Sequence, residues 1–323
     1  MCTAITYRTR DFYFGRTLDL EFSYNAEVTV TPRNFPLPFR HSQTLERHYA
    51  FIGMARTEDG YPLYFDGCNE KGLCMAGLDF TGSAHYGCGS GDRKICHFEL
   101  IPWILGQCAN LREVRSKLEQ LHLMGDAFRE DIPPARLHWL IADRDQALTL
   151  EATREGIRWH ENPAGVLTNN PPFEQMLFSL NQYLHLTPEE PENRFARQLR
   201  LEPFTHGLGA MGLPGDLSSP SRFVRAAFTK LNAVSGETES ESVGQFFHIL
   251  DTVSQTRGCS RTEDGDCEIT VYTCCCNADR GIYYYTTYEN RQITAVSMEK
   301  EDPEGRELIR YPRMEQQQIL YQN

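Results

Sequence analysis

The stretch 267–298, CEITVYTCCCNADRGIYYYTTYENRQITAVSM, constrains the fold more than any other part of the chain. Three runs rich in β-branched and aromatic residues are separated only by the turn-type segments NADRG and YENRQ. Turns that short join antiparallel neighbours, because a parallel pair needs a crossover of a dozen residues or more. The stretch therefore predicts an antiparallel meander. The same signature recurs upstream. LHWLIADRDQALTLEA turns at DRDQ, and GIRWHE adds a third strand. YPLYFDG and LCMAGLDF flank the turn CNEKG, and the chain opens on TAITYRT, DFYFGRTLDL and EVTVTPR.

Helical spacing of apolar residues marks three places. One is the block at about 98–123, FELIPWILGQCANLREVRSKLEQLHL. A second helix is predicted over about 220–233, with Ser219 as N-cap and Pro220 at the first helical position. A third covers about 241–256. Before the second lies LEPFTHGLGAMGLPGDLSSPS at 201–221, a loop by its Gly, Pro and Ser content. The order is strands, helices, strands, helices, strands, with hairpins outnumbering β-helix-β crossovers. That predicts an α+β fold of antiparallel sheets, in one domain spanning 1–323.

The chain has 323 residues and a formal net charge of -12. Binding a phosphate backbone needs a basic face, so no nucleic-acid partner is expected. No stretch reaches the ~18 apolar residues of a membrane span. The opening residues lack a basic segment followed by an apolar run, so a cytoplasmic protein is expected. The eleven cysteines are an odd number and contain no C-x-x-C pair. Cys274, Cys275 and Cys276 alternate faces in a strand and cannot converge on one ion. Cys96-His97 alone makes no metal module. Reduced, buried thiols, no metal and no cofactor are expected.

Cys2 follows the initiator methionine. Removal of Met1 would place a thiol and a free α-amine on one residue. An unperturbed thiol is only about 3% ionised at neutral pH and needs a base. An α-amine is neutral in roughly one molecule in seven at pH 7, a lysine in roughly one in 2,500. The amine is therefore the better base, able to take the thiol proton and return it to a leaving amine. In FGRTLDLE, Arg16 could lower the thiol pKa and Asp19 could hold the amine. A straight strand sends residues three apart to opposite faces. For both to reach Cys2, the strand must bend or bulge near Gly15 to Leu18, or end before Asp19.

The segments MCT, FGRTLDLEFSY, VTPRNFP, NEKGLCMAGLDFTG, VLTNNPPF, GLPGDLSSPSRFVRAAF and GIYYYTTYENRQI occur in this order from the start to about residue 293. Together they resemble the choloylglycine hydrolase family, N-terminal-nucleophile hydrolases that include bile salt hydrolases and penicillin V acylases. The resemblance implies a four-layer αββα sandwich with two antiparallel sheets between helix layers. It implies Cys2 as the nucleophile, with Arg16 and Asp19 supporting its thiol and amine. It implies Asn169, next to Asn170, as an oxyanion donor, and Arg222 as support for the transition state. An oxyanion donor is typically worth roughly 3 to 4 kcal/mol. Leu18, between the two charged residues, is expected to line the substrate pocket.

One position departs from the family pattern. Bile salt hydrolases usually carry asparagine in the A-G-L-x-F motif, and this chain has Asp79. An ionised aspartate cannot donate a hydrogen bond. Either the backbone N–H there does the work, or Asp79 is protonated or paired with an arginine, or it contacts the substrate's leaving part. The phrases GLPGDLSSPSRF and PLYFDGCNEKGL look more like the bile salt branch, so a conjugated bile salt is the expected small-molecule substrate. The alternatives are a phenoxyacetyl amide, as for penicillin V acylases, and a catalytically weak binding homologue. The family resemblance also implies a homotetramer.

Overall fold

The computed structural model describes residues 1–89 and 91–323. Two antiparallel sheets lie face to face. The first runs Val166–Leu167, Cys2–Arg8, Phe12–Leu20, Ile269–Asn277, Ile282–Thr287, Thr294–Ser297. The second runs Gly156–Glu161, Ala147–Thr153, Leu137–Ala142, Cys74–Asp79, Asp66–Asn69, Phe51–Glu58, Glu27–Thr31, Ile309–Tyr311, with Tyr61–Tyr64 also paired to Phe51–Glu58.

Helices Ser219–Asn232 and Glu239–Asp251 pack on the outer face of the first sheet. Helix Leu100–Leu105 packs on the outer face of the second, and Leu111–Leu118 shares its apolar core. The layers are thus helix, sheet, sheet, helix, an α+β sandwich with two antiparallel sheets inside. Covering both faces of the central strands explains their composition. Phe12–Leu20 is buried almost throughout, so the alternation of a half-solvated strand is lost there.

The meander at 267–298, the hairpin turning at 143–146 and the opening strands form as the sequence predicts. The block at 98–123 does not form one helix. It breaks after Leu105, and a new helix starts at Leu111, where the Asn110 side chain accepts the Glu113 N–H as a cap. Its end, Leu121–Met124, is a strand parallel to Arg93–Cys96. The second predicted helix starts one residue early, at Ser219 with Ser218 as N-cap. The third occupies Glu239–Asp251, opened by a capping box of Thr238 and Glu241. Strands Phe51–Glu58 and Ile309–Tyr311 were not anticipated.

The expectation that all thiols are reduced is also corrected. Cys68 and Cys74 are joined by a disulfide. They are direct partners across the Asp66–Asn69/Cys74–Asp79 hairpin, with Cα atoms 4.1 Å apart. Gly72, at φ +83°, makes the turn that brings them together. A spacing of six residues with no C-x-x-C pattern concealed this register.

Candidate active site

Cys2 is the first residue of the strand Cys2–Arg8 and lies opposite Leu18. Alternation along Phe12–Leu20 sets the geometry. Arg16 and Leu18 share the face turned to the second sheet, while Thr17 and Asp19 share the face turned to the helices. The thiol is on the Arg16 side. Arg16 is fully buried, and its Nη2 donates to Cys2 Sγ at 2.5 Å. Its other donors are spent on main-chain carbonyls: Nε on Thr17 at 3.1 Å, and Nη1 on Gly77 and on Phe65, the latter at 3.4 Å. Burial opposes the Arg16 charge, but Cys2, Tyr272, Asp66 and Cys274 outweigh it, and its pKa is raised.

Asp19 lies on the opposite face, so the expected bend is absent. The strand continues to Leu20, and the irregularity sits in the neighbouring strand, between Thr270 and Tyr272. Asp19 accepts Thr270 Oγ1 at 2.7 Å and Thr17 Oγ1 at 3.0 Å, and Arg222 Nη1 lies 4.0 Å away. Burial pushes its carboxyl pKa up, against Arg222, the chain's terminal amine and the two hydroxyls. Met1 is present, and its amine donates to the Asp19 carbonyl at 2.6 Å and to Glu268. Burial works against that ammonium, yet Cys2, Asp19 and Glu268 raise its pKa.

Asn169 reaches the main chain of Cys2. Its Oδ1 accepts the Cys2 N–H at 2.9 Å and Arg222 Nη2 at 2.6 Å. Its Nδ2 donates to the Asp79 carbonyl at 2.8 Å, and its own N–H donates to Ser219 Oγ at 2.8 Å. Asn170 points elsewhere, to the Thr81 carbonyl and the Ser83 hydroxyl. Arg222, fully buried in the first turn of its helix, also donates to the Cys2 carbonyl at 2.5 Å and Thr3 Oγ1 at 2.6 Å. Burial lowers its pKa, against Asp19 and Cys2.

Among the described residues Asp79 pairs with no arginine. Its carbonyl holds Asn169 and its half-buried carboxylate accepts Thr81 Oγ1 at 2.5 Å. Leu18 is buried beside Cys2. Phe65 and Tyr24 stand nearby with ring centroids 5.6 Å apart.

Sequence reasoning missed Asp66 and Thr270, and named Ser219 only as an N-cap, not as the acceptor of the Asn169 N–H. Asp66 is buried between the sheets and accepts Tyr272 Oη at 2.5 Å and Tyr283 Oη at 2.6 Å. It lies in YFDG, where nothing local marks an aspartate as buried. Among the described residues, one group, His41, Cys96 and Asp126, gathers three metal-ligating side chains. His41 Nε2 lies 2.6 Å from Asp126 Oδ2, and the Cys96 thiol donates to the same oxygen at 3.3 Å.

Residues 2–311 match the family model described as linear amide C–N hydrolases, choloylglycine hydrolase family. A bile salt hydrolase/transferase of Lactiplantibacillus plantarum is 51% identical over 313 residues, 97% of each chain. One of Clostridium perfringens is 37% identical over 318 residues, 96% of each chain. The crystal structure of the C2A mutant of conjugated bile acid hydrolase from Clostridium perfringens superposes with a TM-score of 0.92 at 34% identity, covering both chains fully. The penicillin V acylase of Agrobacterium tumefaciens, at 20% identity and a TM-score of 0.74 over 96% of this chain and 90% of its own, shares the fold. The layers and these likenesses define an N-terminal-nucleophile hydrolase fold. The chain belongs to the choloylglycine hydrolase family, whose members hydrolyse linear C–N amides.

Proposed function

We propose that the protein hydrolyses the amide bond of glycine- or taurine-conjugated bile salts, with Cys2 as nucleophile once Met1 is removed. The observation that carries this reading is the convergence on one residue of Arg16 at the thiol, Asn169 at the nitrogen and Arg222 at the carbonyl. The names of the relatives supply the substrate class.

Loss of Met1 turns the Cys2 amide nitrogen into an amine at the same place, held by Asn169 Oδ1. That amine takes the thiol proton, and the thiolate, facing Arg16, attacks the amide carbon. The carbonyl oxygen becomes an oxyanion. Asn169 Nδ2 spends one hydrogen on Asp79 and keeps the second for the oxyanion, with a main-chain N–H as partner. The ammonium returns a proton to the leaving nitrogen, glycine or taurine departs, and a thioester to Cys2 remains. Water, activated by the same amine, releases the bile acid and restores the thiol. An amine attacking in place of water would give the transfer reaction that two relatives' names include. Leu18 lines the acyl side, and Asp79 lies at the leaving side, where its charge bears on the substrate anion.

The reading takes residues 1–323 as one domain, in the cytoplasm. No helix among the described residues is long and apolar enough to cross a membrane, and nine cysteines are unbonded. It includes a homotetramer. Phe178, Leu184, Phe195 and Phe204 are each more than 70% exposed on the segment between the two helical regions, an apolar surface suited to further copies.

The test is amine release from glycocholate, taurocholate and penicillin V by protein shown by mass to lack Met1. Release from either bile salt supports the reading. Release from penicillin V alone keeps the chemistry and replaces the substrate. Binding of bile salt with no release from any of the three makes the chain a binding homologue.

A further inference from the structure

His138 and Glu151 form a buried pair that none of the chemistry above uses. His138 lies on Leu137–Ala142 and Glu151 on the adjacent Ala147–Thr153, 0% and 3% exposed. His138 Nε2 meets the Thr168 carbonyl at 2.9 Å, and Nδ1 meets Glu151 Oε1 at 3.2 Å. The same Oε1 accepts the Phe173 N–H at 2.9 Å. Thr168 and Phe173 bracket the segment that carries Asn169. The His138 ring also stacks on Phe80, centroids 4.2 Å apart and 8° from parallel, next to the Asp79 carbonyl that holds Asn169 Nδ2.

We propose that His138 and Glu151 are positioning residues that fix Asn169 against Cys2, gripping its segment at Thr168 and Phe173. The inference rests on the reading of Cys2 and Asn169 given above. The Thr168 carbonyl only accepts, so Nε2 carries a hydrogen. A bare Nδ1 lone pair would repel the carboxylate oxygen it faces, so a proton lies between them too. Asn169 Nδ2 is the oxyanion donor of that reading, so a small displacement of its segment moves the donor away from the oxyanion while Arg16 still holds the thiol. Misplacement of about 1 Å can cost up to about 100-fold in rate.

The experiment compares His138→Gln, His138→Asn and Glu151→Met in protein lacking Met1, using glycocholate. A glutamine amide reaches the Nε2 position and keeps the bond to Thr168, whereas an asparagine amide reaches only the Nδ1 position. His138→Gln is expected to keep kcat within about threefold of wild type. His138→Asn is expected to lower it about 10- to 100-fold, with KM within about twofold. Alkylation of Cys2 by iodoacetamide, followed on its own peptide, stays within about twofold, because Arg16 holds the thiol from the other face. Hydrogen exchange of the 168–173 segment accelerates in His138→Asn. Wild-type kcat in His138→Asn, unchanged exchange, or an alkylation rate that falls in step with kcat each overturns the proposal. If His138→Asn does not fold, Glu151→Met, which removes the acceptor of the Phe173 N–H, decides: lower kcat and faster exchange of 168–173 support the tether, and wild-type values overturn it. Wild-type protein that releases no glycine would refute the function instead, and hydrogen exchange would still decide the tether.

Discussion

Arg16 and Asp19 stand three residues apart on a straight strand and turn to opposite faces: Arg16 meets the Cys2 thiol, and the Asp19 carboxylate meets Thr17, Thr270 and, at 4.0 Å, Arg222. The Cys2 side chain enters the space between the sheets with Arg16, and the Cys2 main chain is held from the helix side through Asn169 and Arg222. The residue types of FGRTLDLE marked a candidate site, and the Arg16 contact with the thiol was legible in them. Their faces were not, because Cys2 meets Arg16 through its side chain and Arg222 through its carbonyl, so no bend of the strand is needed. Thr270 and the Ser219 contact with Asn169 stayed hidden for a different reason: each hydroxyl arrives from a distant segment, and each is ordinary in its own. Asp79 is the residue whose effect reads most directly. Its carboxylate accepts the Thr81 hydroxyl and meets no cation among the described residues, and the proposed mechanism sets it at the leaving side. Replacing it by asparagine removes repulsion of the substrate's carboxylate or sulfonate. Asp79→Asn should lower KM for glycocholate and taurocholate about fivefold at low salt, with a smaller effect at high salt. Equal KM values at low salt would place the charge away from the substrate anion.

The helix Ser219–Asn232 carries Arg222 in its first turn and Lys230 in its last. The start of this helix was readable from SSPS after a Gly-rich loop, to within one residue. The Lys230 ammonium sits at the C-terminal end, where the helix dipole favours it, and donates to the Ala164 carbonyl. Burial nonetheless lowers its pKa to about 8. The folded state thus gives up this proton more readily than the unfolded chain. Between about pH 8 and the ordinary lysine value of about 10.4, stability from this group rises with pH. Lys230→Met should raise the melting temperature below pH 8 and flatten its pH dependence above, as thermal unfolding across that window would show. An unchanged slope would contradict the burial. The hairpin around NEKG makes a second test. Its strands were legible, but its disulfide was not, since only the pairing register places Cys68 opposite Cys74. Thiol titration of protein unfolded without reductant should find nine reactive groups of the eleven, and eleven would refute the bond. A short-loop bridge of this kind contributes about 2 kcal/mol, so reduction should lower the unfolding midpoint.

The whole molecule assembles its site at one end of the contact between two sheets. The first sheet brings Cys2, Arg16 and Asp19. The second brings Asp79, and the helix layer brings Arg222. Antiparallel pairing was readable from the short turns, whereas the four layers came from family resemblance, because strands buried on both faces lose the period that tells a sheet which side is in. Gly106 and the N-cap Asn110 mark the break after Leu105, but the apolar spacing that continues across it masked them. In the proposed tetramer the exposed phenylalanines of 178–204 would face neighbouring copies. Light scattering should give four chains per particle, and Phe204→Ser with Phe195→Ser should shift it toward smaller species. A monomeric wild type would refute the tetramer. The most direct measurement of all is the rate of glycine release from glycocholate by protein whose mass shows Met1 absent, beside Cys2→Ala and beside a chain that retains Met1. An N-terminal thiol nucleophile predicts turnover by the first and at least about a thousandfold loss in the other two. Turnover by Cys2→Ala within about tenfold of wild type would contradict it, and would move the chemistry to another residue.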